Sequence, residues 1–189
     1  MRVNKVERKK EKAFLRALPY KHYLVYCVGC ETGLRISDIL EIKHADLVLK
    51  EFSVIERKTG KKRKVRISAA LRRELMRYVG ESCGEKYVFY SSRSKTGHIT
   101  RQAVYRAFKN AAKYAGIKGN IGTHSMRKRY AGDLLRKGED LLKVQKALNH
   151  SHLSDTMLYL MDDIQELREE REKAKFKNEI EEKKANLRK

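Results

Sequence analysis

The chain has 189 residues, enough for one ordinary domain and an extension but not for a second large domain, and its 41% apolar content suffices for a core. Lys and Arg number 45 against 24 Asp and Glu, and the net charge of +21 is far beyond what solubility needs, so it points to a polyanionic partner, nucleic acid first. No run is long and apolar enough to span a bilayer, and the charged start Met1–Lys12 has no apolar stretch behind it; neither a membrane span nor a signal peptide is expected, and the expected location is the cytoplasm.

Residues 1–18 form a basic arm, helix-compatible from Val3 to about Leu18, and Pro19, the only proline, marks its end or the start of the next element. Residues 20–31 read as a buried, mostly apolar helix. Cys27 and Cys30 fall on it, and with Cys83 they make an odd count. In an intracellular chain that argues for reduced thiols, and the apolar surroundings favour core packing over metal or redox use. Gly33 suits the left-handed residue that closes such a helix, and the next helix runs from about Arg35 to Ile42. Glu51–Ser68 alternates apolar and polar residues on both sides of Thr59-Gly60, as a hairpin does, with an intensely basic turn.

Helical periodicity follows at 69–79 and at 100–115, the latter with Thr100 as N-cap, and Lys86–Tyr90 between them reads as a short strand. Ser91–Ile99 is a polar loop. Beyond the turn-rich Gly116–Gly122, three shorter helices fit at 124–137, 140–148 and 153–160, separated by Gly138 and by Asn149-His150-Ser151. The architecture is mainly helical with a small antiparallel sheet. Residues 162–189 hold nine acidic and nine basic residues, so this tail is neutral and the charge excess lies on residues 1–161.

Phosphoryl transfer by a protein hydroxyl needs a nucleophile, cations around the nonbridging oxygens and an acid for the leaving oxygen. The first turn of the helix after Gly33 projects Arg35, whose planar fork can hold two phosphate oxygens. Lys58 lies at the hairpin turn, where a flexible side chain can reach into a DNA groove; Lys61, Lys62, Arg63 and Lys64 follow as a phosphate-gripping patch. His124 and Arg127 stand one helical turn apart and share a face. His150 precedes Tyr159 by nine residues. Each residue alone also suits a plainer role: a surface arginine, a gripping lysine, a tyrosine packed between leucines.

Together, Thr32-Gly33-Leu34-Arg35-Ile36-Ser37-Asp38, Lys58-Thr59-Gly60, His124-Ser125-Met126-Arg127 and Leu148-Asn149-His150 followed by Tyr159 come in one order, and over about residues 15–160 the sequence resembles the catalytic domain of tyrosine recombinases, the phage integrase family. The resemblance implies a DNA breaking-rejoining fold over 19–161. It implies that Tyr159 attacks the scissile phosphate and keeps the 3′ phosphate, that Arg35 and Arg127 stabilise the developing charge, and that Lys58 protonates the 5′ oxygen. His124 would assist proton transfer at the tyrosine, and His150 would hydrogen-bond the phosphate. No metal, ATP or other cofactor is implied. The partners implied are double-stranded DNA, further copies of the chain in a tetrameric synapse, and an accessory DNA-bending protein.

Two positions depart from the family pattern. Only some 18 residues precede the catalytic region, where the family usually carries a core-binding domain, so the chain reads as a short recombinase or a fragment. Asn149 replaces the usual glycine, and asparagine tolerates the left-handed conformation that position needs. Asp38 reads either as an orienting group for a basic neighbour or as a solvated helix acid. A type IB topoisomerase would share the chemistry without joining two sites, and a basic DNA-binding protein would share the charge without the reaction. In the tail, Glu169 with Lys173 and Glu179 with Lys183 support a helix anchored by Ile164, Leu167, Phe176 and Ile180, marginal alone and suited to protein–protein contact.

Overall fold

The computed structural model describes residues 4–80 and 86–186, so Val3 at the head of the arm, Cys83 and the last residues of the tail (187–189) lie outside it. The chain packs as two compact units, Met1–Ala131 and Gly132–Lys189.

In the first unit the chain runs through α1 (Arg8–Ala17), α2 (Tyr20–Thr32), α3 (Ile36–Leu40), α4 (His44–Val48), β1 (Glu51–Ile55), β2 (Lys62–Arg66), α5 (Ala69–Gly80) and α6 (Arg101–Tyr114), and enters α7 (Thr123–Arg136). The expected class, mainly helical with a small antiparallel sheet, holds. Phe14 of α1, Tyr26 of α2 and Phe108 of α6 meet with ring centroids 5.3 to 5.8 Å apart and tilted or edge-on, the arrangement aromatic quadrupoles favour. The arm therefore contributes to the core: Phe14 is fully buried, and Glu11 on the same helix pairs with Arg129 at 3.0 Å.

The hairpin pairs Phe52 with Val65 and Val54 with Arg63, and the buried side chains Phe52, Val65 and Ile67 seat one face on the core. The other face carries Lys62 and Lys64 into solvent. Lys86–Tyr90, read from sequence as a strand, is not one: it makes only isolated bridges, Lys43 with Tyr87 and Tyr90 with His98. Val88 donates to Ile42 O and Lys86 O accepts from His44, while Phe89 O accepts from Ile99 and Ser91 donates to Gly97 O, so the segment is pinned at one isolated bridge to each of two irregular stretches and forms no ladder. Both Val88 and Phe89 are buried, against the in-out alternation of a half-exposed strand. The short α4 was not anticipated, because five residues carry too little periodicity; Asp46 stabilises its start by accepting from Lys43 N at 2.8 Å.

The second unit contains the end of α7, then α8 (Leu141–Leu148) and α9 (Leu153–Asn186). Asp140 caps α8 by accepting from Lys143 N at 2.7 Å, and Asn149 closes it at φ +53°, the left-handed conformation expected of it. The helices expected at 153–160 and in the tail are one continuous helix. No glycine or proline interrupts 153–186, and Arg136 of α7 pairs with Glu166 at 3.0 Å and lies 3.8 Å from Asp163, which holds α9 past its expected end. Every side chain from Arg168 to Glu181 is exposed. No helix among the described residues is long and apolar enough to cross a membrane.

Candidate active site

Four of the residues singled out from sequence, Arg35, Lys58, His124 and Arg127, line one cleft of about 580 Å³ in the first unit. Arg57 and Arg101 join them, and no carboxylate is among the lining residues. The first turns of three helices open onto it: Ile36 begins α3, Arg101 begins α6 and Thr123 begins α7. Free N–H groups at helix starts carry partial positive charge, so helix ends and side chains act together on an anion.

Local backbone explains how the arginines are held. Gly33 ends α2 at φ +63°, and a Cβ there would lie 2.2 Å from the Tyr130 ring, so both conformation and space require glycine. That turn leaves the last carbonyls of α2 without helical partners. Arg127, only 3% exposed, donates to Gly33 O at 2.5 Å, and Arg63 donates to Thr32 O. Arg35 occupies the N-cap position of α3, and its side chain pairs with Glu56, which is fully buried. Glu56 also accepts from Thr59 Oγ1 at 3.2 Å and lies 3.6 Å from Arg63. Removing one partner of such a buried pair destabilises a protein by about 3–5 kcal/mol.

Asp38 is 1% exposed, which settles its reading against a solvated helix acid; it accepts from Arg57 N at 3.2 Å and so fastens the hairpin turn to α3. Arg57 adds an ion pair to Glu41 at 3.2 Å. Lys58, between these anchors, is exposed. His124 has its pKa lowered, first by burial and then by Arg127, Arg101, Arg35 and Lys58. Its imidazole is therefore neutral near pH 7 and able to take a proton.

The other two residues singled out lie together in the second unit. His150 Nδ1 is 3.0 Å from Thr156 Oγ1, and its ring meets that of Tyr159 edge-on at 5.9 Å. His150 N donates to Gln145 O at 3.1 Å, and Gln145 Nε2 donates to His150 O at 3.2 Å, so the turn that presents the ring is fixed from both sides.

Of the patch after Lys58, Lys61, Lys62 and Lys64 are exposed, while Arg63 is engaged inside by Thr32 and Glu56. Strand alternation decides this: Arg63 shares the inward face with Val65. The sequence reading did not find Glu56 or Arg101. The acid before Arg57-Lys58 carried a signal only in hindsight, as a lone carboxylate amid bases at the head of the turn. A second open cleft of about 810 Å³, lined by Arg93, Lys95, Gln102 and Tyr105 among others, adjoins the first through Arg101 and Thr123. Burial pushes the Cys27 thiol up to about 11 and raises that of Cys30, which disfavours the reactive thiolate. Among the described residues, no cluster of His, Cys, Asp or Glu is placed to hold a metal ion.

Residues 4–166 match the family model described as "Phage integrase family". The chain belongs to the phage integrase family. Among curated relatives of this integrase-family chain, the probable integrase/recombinase YoeC of Bacillus subtilis is 35% identical over 141 residues, which cover 74% of this chain and 77% of that protein. Tyrosine recombinase XerD of Rhizobium meliloti is 35% identical over 134 residues, 68% of this chain and 43% of the relative. The chain thus spans about half the length of several curated tyrosine recombinases that it matches. A crystal structure of XerH site-specific recombinase bound to a palindromic difH substrate, a post-cleavage complex, shares the fold with a TM-score of 0.71 and 22% identity, over 89% of this chain and 52% of that one.

Proposed function

We propose that this integrase-family chain carries out site-specific recombination by cutting and rejoining double-stranded DNA through a covalent phosphotyrosine. The observation that carries the proposal is the cleft that gathers Arg35, Lys58, His124 and Arg127 from three separate parts of the sequence, with helix starts around it and no acid in its lining. The DNA-bound state of a structural neighbour agrees with a DNA substrate.

In this reading the Tyr159 hydroxyl oxygen attacks the scissile phosphorus, the bond from phosphorus to the 5′ oxygen breaks, and the 3′ phosphate remains on the tyrosine. Arg35 and Arg127 stabilise charge on the nonbridging oxygens, where a preorganised donor acts mainly in the transition state. Neutral His124 takes up the tyrosine proton, Lys58 gives one to the leaving 5′ oxygen, and His150 hydrogen-bonds the phosphate. One phosphate ester replaces another, so the covalent intermediate retains the bond energy for rejoining and the step needs neither ATP nor a metal. Lys61, Lys62 and Lys64 grip phosphates from the outer face of the hairpin. The exposed stretch of α9 docks on another copy of the chain in a synaptic assembly, where a DNA-bending protein serves as accessory.

A nicked suicide substrate tests the proposal, because the severed strand diffuses away and traps the intermediate. A protein–DNA adduct that survives denaturing electrophoresis is the expected result. A mobility shift without an adduct would contradict it in favour of a DNA-binding protein. Adding a second duplex separates recombination from relaxation: strand exchange between duplexes supports a recombinase, and cleavage without exchange a topoisomerase-like enzyme.

A further inference from the structure

Glu56 is fully buried beside a cleft whose lining is cationic, and none of the roles above uses it. Burying a carboxylate is unfavourable unless cations and donors compensate, so its partners indicate what it serves. Its Oε2 pairs with Arg35 and accepts from Thr59 Oγ1 at 3.2 Å. Its Oε1 accepts no hydrogen bond, the Arg63 guanidinium standing 3.6 Å away. Its main chain also closes the hairpin turn: Glu56 N donates to Lys61 O at 3.0 Å, while Glu56 O accepts from Thr59 N at 3.2 Å and from Gly60 N at 2.8 Å. One residue thus joins Arg35, at the start of α3, to the turn that bears Lys58.

We propose that Glu56 is a positioning residue for strand cleavage, its carboxylate orienting the Arg35 guanidinium toward the phosphate. This rests on the reading of the cleft given above. A guanidinium offers five N–H donors in a fixed plane, so a carboxylate on one edge leaves another edge for phosphate oxygens. An arginine already ordered loses less freedom when the phosphate arrives, and its orientation is set for the transition state. Glu56 also offsets the mutual repulsion of Arg35, Arg57, Lys58, Arg101 and Arg127 around the cleft. The same negative charge opposes phosphate binding. Removing it should therefore spare affinity and harm cleavage, a split that a purely structural residue would not produce.

The test compares half-site affinity and single-turnover cleavage of a suicide substrate for wild type, Glu56→Gln and Glu56→Asp, with Glu56→Gln repeated in an Arg35→Ala background. Glu56→Gln should slow cleavage of bound DNA by about tenfold or more with affinity unchanged or tighter, and Glu56→Asp should recover part of the rate. In the Arg35→Ala background the same change should cost less than about twofold, because the residue it acts through is gone. Wild-type cleavage by Glu56→Gln, or an equal loss in both backgrounds, overturns the proposal. Should thermal melting show that Glu56→Gln does not fold, Thr59→Val, which removes one donor to Oε2, together with Glu56→Asp gives the answer: slower cleavage at unchanged affinity supports the proposal, and unchanged cleavage in both overturns it. Absence of an adduct with wild type would instead sink the underlying strand-transfer reading.

Discussion

Arg35 and Arg127 reach one cleft from different helices, yet both are fixed near the end of α2, Arg127 by the Gly33 carbonyl and Arg35, two residues on, by Glu56. Replacing either with alanine should cut the cleavage rate of bound DNA by about 100-fold or more in single-turnover kinetics, the order lost when a preorganised stabilising donor is removed. A wild-type rate for Arg35→Ala would end its catalytic assignment. For His124 the sign of the pH effect follows from its surroundings. Burial and four cations depress its pKa below the ordinary value of about 6.5. Its contribution to stability is present above about pH 6.5 and is lost as pH falls through the depressed folded value. NMR titration of the free protein should place its midpoint below about 6.5. Cleavage should fall on the acid side as the ring protonates, and His124→Gln should be slow at all pH values and lack that limb. A midpoint above about 7 would show that burial and the four cations do not govern this ring.

Much of this was legible in the sequence, because the chemistry-bearing residues sit in short runs whose order and spacing are distinctive: Gly33 to Asp38, Lys58 to Gly60, His124 to Arg127. What remained hidden were the residues whose meaning depends on folding partners. Glu56 reads as one acid in a basic stretch until Arg35 and Arg63 are brought against it. Arg101 reads as the first residue of a helix until that helix start reaches the same cleft as His124. Arg63 counted among the grippers until strand alternation turned it inward.

At the level of elements, the hairpin divides its work by face. Its inner side chains seat it on the core and hold Glu56, while Lys62 and Lys64 face solvent. Lys62→Ala or Lys64→Ala should weaken half-site binding and reduce the salt slope of log K by about one phosphate contact, with cleavage of bound DNA unchanged. An unaltered salt slope would remove them from the DNA interface. The turn after α2 is the opposite case, a backbone requirement. Gly33→Ala forces a Cβ into the Tyr130 ring at a positive φ, so thermal melting should show a loss of more than about 1 kcal/mol, and cleavage should fall as well because Gly33 O anchors Arg127. The elements misjudged from sequence are those with little periodicity or no internal stop. Lys86–Tyr90 has the apolar content of a strand but only isolated bridges to its neighbours, and α9 continues because nothing in its sequence ends it.

For the whole molecule, a charge of +21 concentrated on residues 1–161, against nine acids and nine bases in 162–189, separates a strongly basic body from a neutral extension. The side chains from Arg168 to Glu181 are all exposed, whereas Glu166 still pairs with Arg136. Truncation after Leu167 should therefore leave half-site affinity within about twofold while reducing assembly on full sites and strand exchange. A large loss of half-site affinity, or unchanged exchange, would show that the extension has another use. The proposed chemistry requires Tyr159 to become covalently joined to DNA. Trapping the intermediate on a suicide substrate, digesting it and sequencing the peptide that carries the nucleotide measures this directly. The adduct is expected on Tyr159 and absent in Tyr159→Phe, which should still bind DNA; an adduct on another tyrosine, or one that persists in Tyr159→Phe, would contradict the assignment of Tyr159 as nucleophile.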